Sequence, residues 1–373
     1  MDDGSDTIID MVLPDYKNSI ANMPNSVLKY FGVETVGDTL PVFDGFLRKE
    51  YKNVVVLLLD GLGVSTIREH LKEDGPFRTH LKCEYSSTFI STTVAATTSA
   101  LTGLQPCEHA WLGWDCYYPQ IDKTVTVYLN TVTGTEEPAA DYNVAWKYTP
   151  YVSVIERLNK AGHKAYAVSP FVAPNPQSFE EIIGHIKTHC SEPERKYIYA
   201  YWPFPDDTLH RFGGGSQEVF DNMKYLEEKV SALAGELDDT LFVVTADHGH
   251  LNSDSAFLKD YPEIVECLER IPSFEPRALN LFAKKGMEKD LEERFNNAFG
   301  DKFVLMPRDE LLERKLLGTG KEHPLFRSMV GDYIAIAVSD LSLYYTDEPA
   351  LKSVHAGMTE AEMKIPFIVF GDK

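Results

Sequence analysis

Three short apolar runs in this chain end in residues that can hold a cation. VVVLLLDGLG places Asp60 directly after an apolar run, YAYWPFPDDTLH places Asp206 and His210 four residues apart, and LFVVTADHGH sets Asp247 beside His248. A fourth segment, VHAGMTEAEMKIPFIVFG, carries His355 ahead of a further apolar run. Three carboxylates with three imidazoles suit two borderline divalent metal ions such as zinc, with a position left at each for a nucleophile or a substrate oxygen. An all-oxygen set would favour magnesium or calcium. Two such ions bring more positive charge than three aspartates remove, so the pocket would be net positive in an acidic protein. Each piece alone has a plainer reading: Asp before Gly is commonly a turn former, and a single Asp-His pair commonly binds nothing. The weight rests on their joint placement at the tips of apolar runs.

A nucleophile candidate lies in STTVAATTSALTG. The stretch from Thr93 to Thr102 is small and compatible with a helix, and Gly103 ends it. Thr93 is then at a helix N-terminus, where the dipole and free N–H groups favour an alkoxide and an anionic substrate. A hydroxyl of ordinary acidity needs activation, which metal coordination supplies. The plainer reading is a helix cap.

These tips need a scaffold. Asn53–Leu59, Lys164–Ser169, Tyr197–Trp202, Leu241–Thr245, Tyr333–Val338 and Phe367–Phe370 read as strands. Their near-continuous apolar character predicts a sheet covered on both faces. Helical patterns lie between them, at Val152–Lys160 and from Ser216 to Leu233. In the second, Ser216 is the N-cap, Gly235 the stop, and Val219, Phe220, Met223, Leu226, Val230 and Leu233 form one stripe. The class is α/β, a three-layer sandwich around a central, mostly parallel sheet, with the tips meeting at one crest. The expected organisation is an N-terminal arm packed on the core (1–45), a metal-binding catalytic core (46–260 and 332–373) and a small inserted α+β cap (261–331).

Composition sets limits. The chain has 373 residues, 43% of them hydrophobic and 25% charged, and a formal net charge of −21. That excludes global disorder and argues against holding a nucleic-acid polymer by phosphate neutralisation. The five cysteines, Cys83, Cys107, Cys116, Cys190 and Cys267, show no C-x-x-C spacing. With an acidic N-terminus and no apolar run long enough to span a bilayer, the expectation is a reduced, cytoplasmic protein with no membrane partner. The oligomeric state is not legible.

On these motifs the chain resembles the alkaline phosphatase superfamily, and within it the nucleotide pyrophosphatase/phosphodiesterase-like branch. The matching pieces are DGLG at Asp60, the block from Thr93 to Gly103, D-x-x-x-H at Asp206 and His210, ADHG at Asp247, and HAGMTEAEMKIP at His355. The resemblance implies one zinc on Asp60, Asp247, His248 and Thr93 and a second on Asp206, His210 and His355. It also implies a phospho-threonine on Thr93 and a small phosphate ester or nucleotide as substrate. Phosphodiesterases of this branch carry an Asn where this chain, counted without gaps, has Trp114. That keeps a phosphomonoesterase or phosphonate hydrolase as an alternative, and a non-catalytic metal-stabilised binding protein as a further one. Sulfatase chemistry needs C-x-P-x-R, and CSEPER at Cys190 is out of register. The gap from Thr93 to Asp206 is too short for the domain inserted in cofactor-independent phosphoglycerate mutases.

Other motifs have plainer readings. His185 and His189 sit on a solvated helix face, the Gly318–Lys321 stretch fails the phosphate-loop spacing, and His109 is structural. His250 and His323 are possible substrate donors. Trp111 and Trp114 either pack or stack on a base or aryl leaving group.

Overall fold

The protein is described by a computed structural model covering residues 11–347 and 349–371. The first ten residues of the expected arm lie outside these. The main sheet has six strands in the order Leu81–Ser86, Lys364–Phe370, Thr240–Thr245, Asn53–Leu59, Lys196–Trp202 and Lys164–Val168. The last four of that order pair in parallel, and the Lys364–Phe370 strand runs antiparallel to its neighbours on both sides. Every residue of Asn53–Leu59, Lys196–Trp202 and Thr240–Thr245 is buried. Both faces of the sheet are therefore covered, as the unbroken apolar runs predict.

Parallel pairing puts the carboxyl ends of these strands on one rim. Leu59 aligns with Trp202 and Leu58 with Thr245. The antiparallel final strand brings its N-terminal end, and the segment before it, to the same rim.

A second sheet of seven strands departs from the expected cap. Its order is Phe303–Pro307, Tyr333–Ala337, Ala278–Leu281, Ser273–Glu275, Asp115–Tyr118, Lys123–Thr126 and Thr131–Val132. It thus recruits residues 115–132 and 333–337, which the expectation assigned to the core. Tyr333–Val338 reads correctly as a strand but belongs to this second sheet. Short antiparallel strands take partners through tertiary packing, which their own sequence does not encode.

Two further details differ. The helix expected to stop at Gly235 runs from Gln217 to Glu236. Phe220, placed on its buried stripe, is 43% exposed. Ser216 does cap this helix, accepting from the Val219 N–H at 3.2 Å. At the N-terminal side, Ile20, Met23, Val27, Leu28, Leu40 and Phe43 are fully buried in the main apolar core. Among the described residues no helix is long and apolar enough to cross a membrane.

Candidate metal centre and active site

The rim gathers the expected nucleophile and metal ligands, Asp60, Thr93, Asp206, His210, Asp247, His248 and His355. Asp60 and Asp206 are tied through the backbone: the Asp60 N–H donates to Trp202 O and the Asp206 N–H to Asp60 O, each at 3.0 Å. Asp206 opens the helix Asp206–Phe212, so His210 follows one turn later on the same face. Gly61, at φ +71°, turns the chain between the two tips. A Cβ there would lie 2.9 Å from the Asp206 Cβ and from the His250 ring, so the close approach of these loops requires glycine.

Four side chains form one cluster. The ligand atoms of Asp206, His210, His250 and His355 lie within 4.8 Å of one another. Asp206 Oδ1 is 2.6 Å from His250 Nε2, 3.3 Å from His210 Nε2 and 3.8 Å from His355 Nε2. Asp60, Asp206 and His248 form a second such group, so Asp206 stands in both. Around His248 Nε2 are Thr93 Oγ1 at 3.3 Å, Asp60 Oδ1 at 3.4 Å and Asp247 Oδ2 at 3.6 Å.

Backbone hydrogen bonds fix the outer ring atoms and turn the other ring nitrogens inward. His210 Nδ1 faces Ser353 O at 2.7 Å, His248 Nδ1 faces Gly249 O at 3.1 Å, and His355 Nδ1 faces Ser91 O at 3.1 Å. A ring whose Nδ1–H donates to a carbonyl presents Nε2 with its lone pair inward, the tautomer a metal ligand needs. Asp247 Oδ1 accepts from the Gly61 N–H and the His248 N–H, and Asp60 Oδ2 accepts from the Tyr201 hydroxyl. The other oxygens, Asp60 Oδ1 and Asp247 Oδ2, are buried without a hydrogen-bond partner among the described residues. Orphaned buried carboxylate oxygens beside inward imidazole lone pairs are what a bound cation would satisfy, so the residues present fit a divalent metal.

The electrostatics agree. Burial, then the neighbouring Asp247 and Asp206, push the Asp60 carboxyl well above the usual range, and burial raises Asp247. Burial would also raise Asp206, but His210 and His250 beside it hold it well below. Burial lowers His250 to about 4 and His355 well below its ordinary value.

Thr93 is the first residue of the helix Thr93–Thr102, which ends at Gly103 in the left-handed region. No side chain caps this helix. The Thr92 hydroxyl, the natural candidate, donates instead to Glu275 Oε1 at 2.5 Å. The first-turn N–H groups thus face the site uncapped, ready for phosphate oxygens.

The second sheet braces this assembly. Arg277 donates through Nε at 2.6 Å and Nη2 at 3.1 Å to Glu362, and both side chains are fully buried. Glu362 also accepts from the Gly357 N–H at 2.7 Å and the Thr359 hydroxyl at 2.6 Å. That network fixes the turn following His355.

Of the remaining candidates, His250 joins the cluster. His109 is buried between Ser99 and the Trp111 N–H, and His189 stacks on Tyr166 near Glu192; both are structural. Trp111 is buried, its indole N–H on Thr149 O at 2.7 Å. Trp114, by contrast, lines the cavity beside Thr93. His323 is not among the residues lining that cavity. Glu275, which the sequence did not single out, also lines it.

The family model of type I phosphodiesterase/nucleotide pyrophosphatase matches residues 54–355. The chain belongs to this family. It is therefore a phosphodiesterase/nucleotide pyrophosphatase-like hydrolase that cleaves phosphodiester bonds, and the family is metal-dependent. Solved structures with the same fold include murine ectonucleotide pyrophosphatase/phosphodiesterase 5, at 16% identity and TM-score 0.65, covering 85% of this chain and 87% of that one. An inactive form of the murine protein in complex with AMP gives TM-score 0.66 at 16% identity, covering 87% and 88%. The human counterpart gives TM-score 0.66 at 16% identity, covering 85% and 87%. No curated protein sequence matches the chain.

Proposed function

We propose that this hydrolase acts on small phosphodiesters or nucleotide pyrophosphates through a phospho-threonine on Thr93, at a two-metal site. The orphaned oxygens of Asp60 and Asp247 beside Thr93 carry the proposal. Asp60, Asp247, His248 and Thr93 would hold one ion; Asp206, His210, His355 and, in addition, His250 would hold the other. The mixed carboxylate and imidazole set favours zinc. Bound divalent ions supply the charge that makes the Thr93 hydroxyl nucleophilic and neutralises developing negative charge on phosphorus.

The chain's own groups do the rest. Thr93 Oγ1 loses its proton and bonds to phosphorus while the bond to the leaving oxygen breaks in line. The uncapped first turn of the Thr93 helix orients the non-bridging oxygens. Water then attacks the same phosphorus, releasing a phosphate monoester and returning the hydroxyl. The AMP held by the murine relative supports a nucleotide among the substrates. Trp114, which by an ungapped count falls where the resemblance sets an Asn, supports a second reading as a monoesterase or phosphonate hydrolase, and the ratio of monoester to diester kcat/KM decides between them.

The test is hydrolysis of bis-p-nitrophenyl phosphate and of a nucleoside 5′-phosphate p-nitrophenyl ester, with and without chelator. Removing the nucleophile or the metal should lower kcat by roughly 10^3-fold or more. Turnover that survives intact in Thr93→Ala, or that ignores the chelator, refutes the assignment.

A further inference from the structure

The two groups of ligand atoms at the rim differ in donor chemistry. The resemblance gives the outer seat three side chains, Asp206, His210 and His355. The fold adds His250, whose ligand atom lies within 4.8 Å of theirs. That set has a single oxygen donor among imidazole nitrogens. The inner seat reverses the proportion. Asp60 Oδ1, Asp247 Oδ2 and Thr93 Oγ1 stand around His248 Nε2 at 3.4, 3.6 and 3.3 Å.

His250 is held in place for the outer seat. Its ring is buried, and Leu251, next to it, pairs with Val354, next to His355, in a short antiparallel ladder. Ser353 of that ladder serves two rings: its carbonyl oxygen faces His210 Nδ1 at 2.7 Å, and its hydroxyl faces His250 Nδ1 at 3.3 Å. The hydroxyl donates its proton to Leu251 O at 2.9 Å, so toward His250 it can only accept. The His250 Nδ1–H then donates, and Nε2 turns its lone pair on Asp206 Oδ1 at 2.6 Å. A lone pair and a carboxylate oxygen at that distance repel unless a positive charge lies between them.

Four protein donors make a closed shell of the kind that retains zinc, and imidazole nitrogen suits zinc. Two carboxylates and a hydroxyl with a single imidazole form a harder, more negative set, of the kind that takes manganese. Resting on the two-metal reading above, we propose that the centre is built for two unlike ions: a retained zinc in the outer seat, closed by His250, and an exchangeable manganese(II) in the inner seat beside Thr93. His250 is what closes the outer seat; without it three protein donors remain and a position stays open. Zinc outcompetes manganese for either donor set, so the difference shows where zinc is limiting.

The test gives metal-free protein one equivalent of zinc and dialyses it against excess manganese(II). Mass spectrometry should count one zinc and one manganese per chain, and the electron paramagnetic resonance spectrum should be that of an isolated manganese ion. Asp247→Asn, which strips a ligand from the inner seat, should lose the manganese and keep the zinc. His250→Ala should hold its zinc about tenfold or more weakly against a chelator. A spin-coupled manganese pair in the wild type shows that the seats are alike and overturns the proposal. So does failure of manganese to bind beside the zinc, or zinc retention that His250→Ala leaves unchanged. Protein that takes up neither ion overturns this proposal and the two-metal site together. No readout here uses turnover: protein that loads as described yet leaves both p-nitrophenyl esters intact keeps the unlike seats and refutes the catalytic reading alone.

Discussion

The two halves of the metal centre are built from the same residue types in opposite proportions. The inner half has two carboxylates, Asp60 and Asp247, to one imidazole, His248. Among the described residues both of its inward oxygens lack partners, and both carboxyls are driven up by burial. The outer half has one carboxylate, Asp206, to three imidazoles. There burial works against His210, yet Asp206 raises it, and the carboxylate itself is held down. The outer half can neutralise itself with a proton on a ring. The inner half, whose excess is negative, does so only by holding a proton on a carboxyl, which burial and the crowded carboxylates favour. Metal loss should therefore be felt unequally, with the inner half strained and the outer half content.

Substitutions in the two halves should then act with opposite signs on the metal-free protein. Asp60→Asn removes one of two crowded carboxylates. It should abolish one equivalent of bound metal and lower kcat by roughly 10^3-fold, the scale of losing a principal charge-stabilising group. In the presence of chelator, however, its Tm at pH 8 should equal or exceed that of the wild type, since active-site charge is held against stability. His250→Ala deletes the imidazole 2.6 Å from Asp206. It should lower metal affinity about 10–100-fold, with activity recovered by excess zinc, and it should lower the metal-free Tm. Metal content by mass spectrometry and thermal scans with and without chelator read both effects. A metal-free Asp60→Asn less stable than His250→Ala would erase the contrast between the halves.

The same contrast marks how far the sequence could be read. The strand tips were legible because buried parallel strands demand unbroken apolar runs, and an Asp closing such a run stands out, as at Asp60 and Asp247. The place of His355 at the rim was legible from its order before the last strand. His250 carried a signal too: it is the second imidazole of ADHGH, two residues beyond His248, on the loop that Gly61 admits so closely. Glu275 carried none. It sits in a short hairpin whose strands pair with residues 115 and 278, far apart in sequence, and only the folded second sheet brings it beside Thr92. The run through Gly235 has a similar cause, since packing of Val230 and Leu233 on the core outweighs the cost of one helical glycine.

Glu275 also sharpens the comparison, because it is a further buried carboxyl with no ion pair among the described residues, outside both halves. Its ordinary value is 4.5 and burial raises it to about 8 in the folded protein. Folded protein then holds the proton where unfolded chain has released it. The stability that comes from keeping Glu275 neutral is fully present below pH 4.5 and is lost as the pH rises to about 8. Glutamine at this position stays neutral throughout and keeps the acceptor for the Thr92 hydroxyl and the Trp114 N–H. Glu275→Gln should therefore resemble wild type near pH 5 and exceed it in Tm near pH 8, by a few degrees for each kcal/mol recovered. Denaturation followed from pH 5 to 8, with metal content held constant, measures the difference. If the two curves stay parallel over that range, the Glu275 carboxyl is ionised at no cost, and its charge is already compensated in the folded protein.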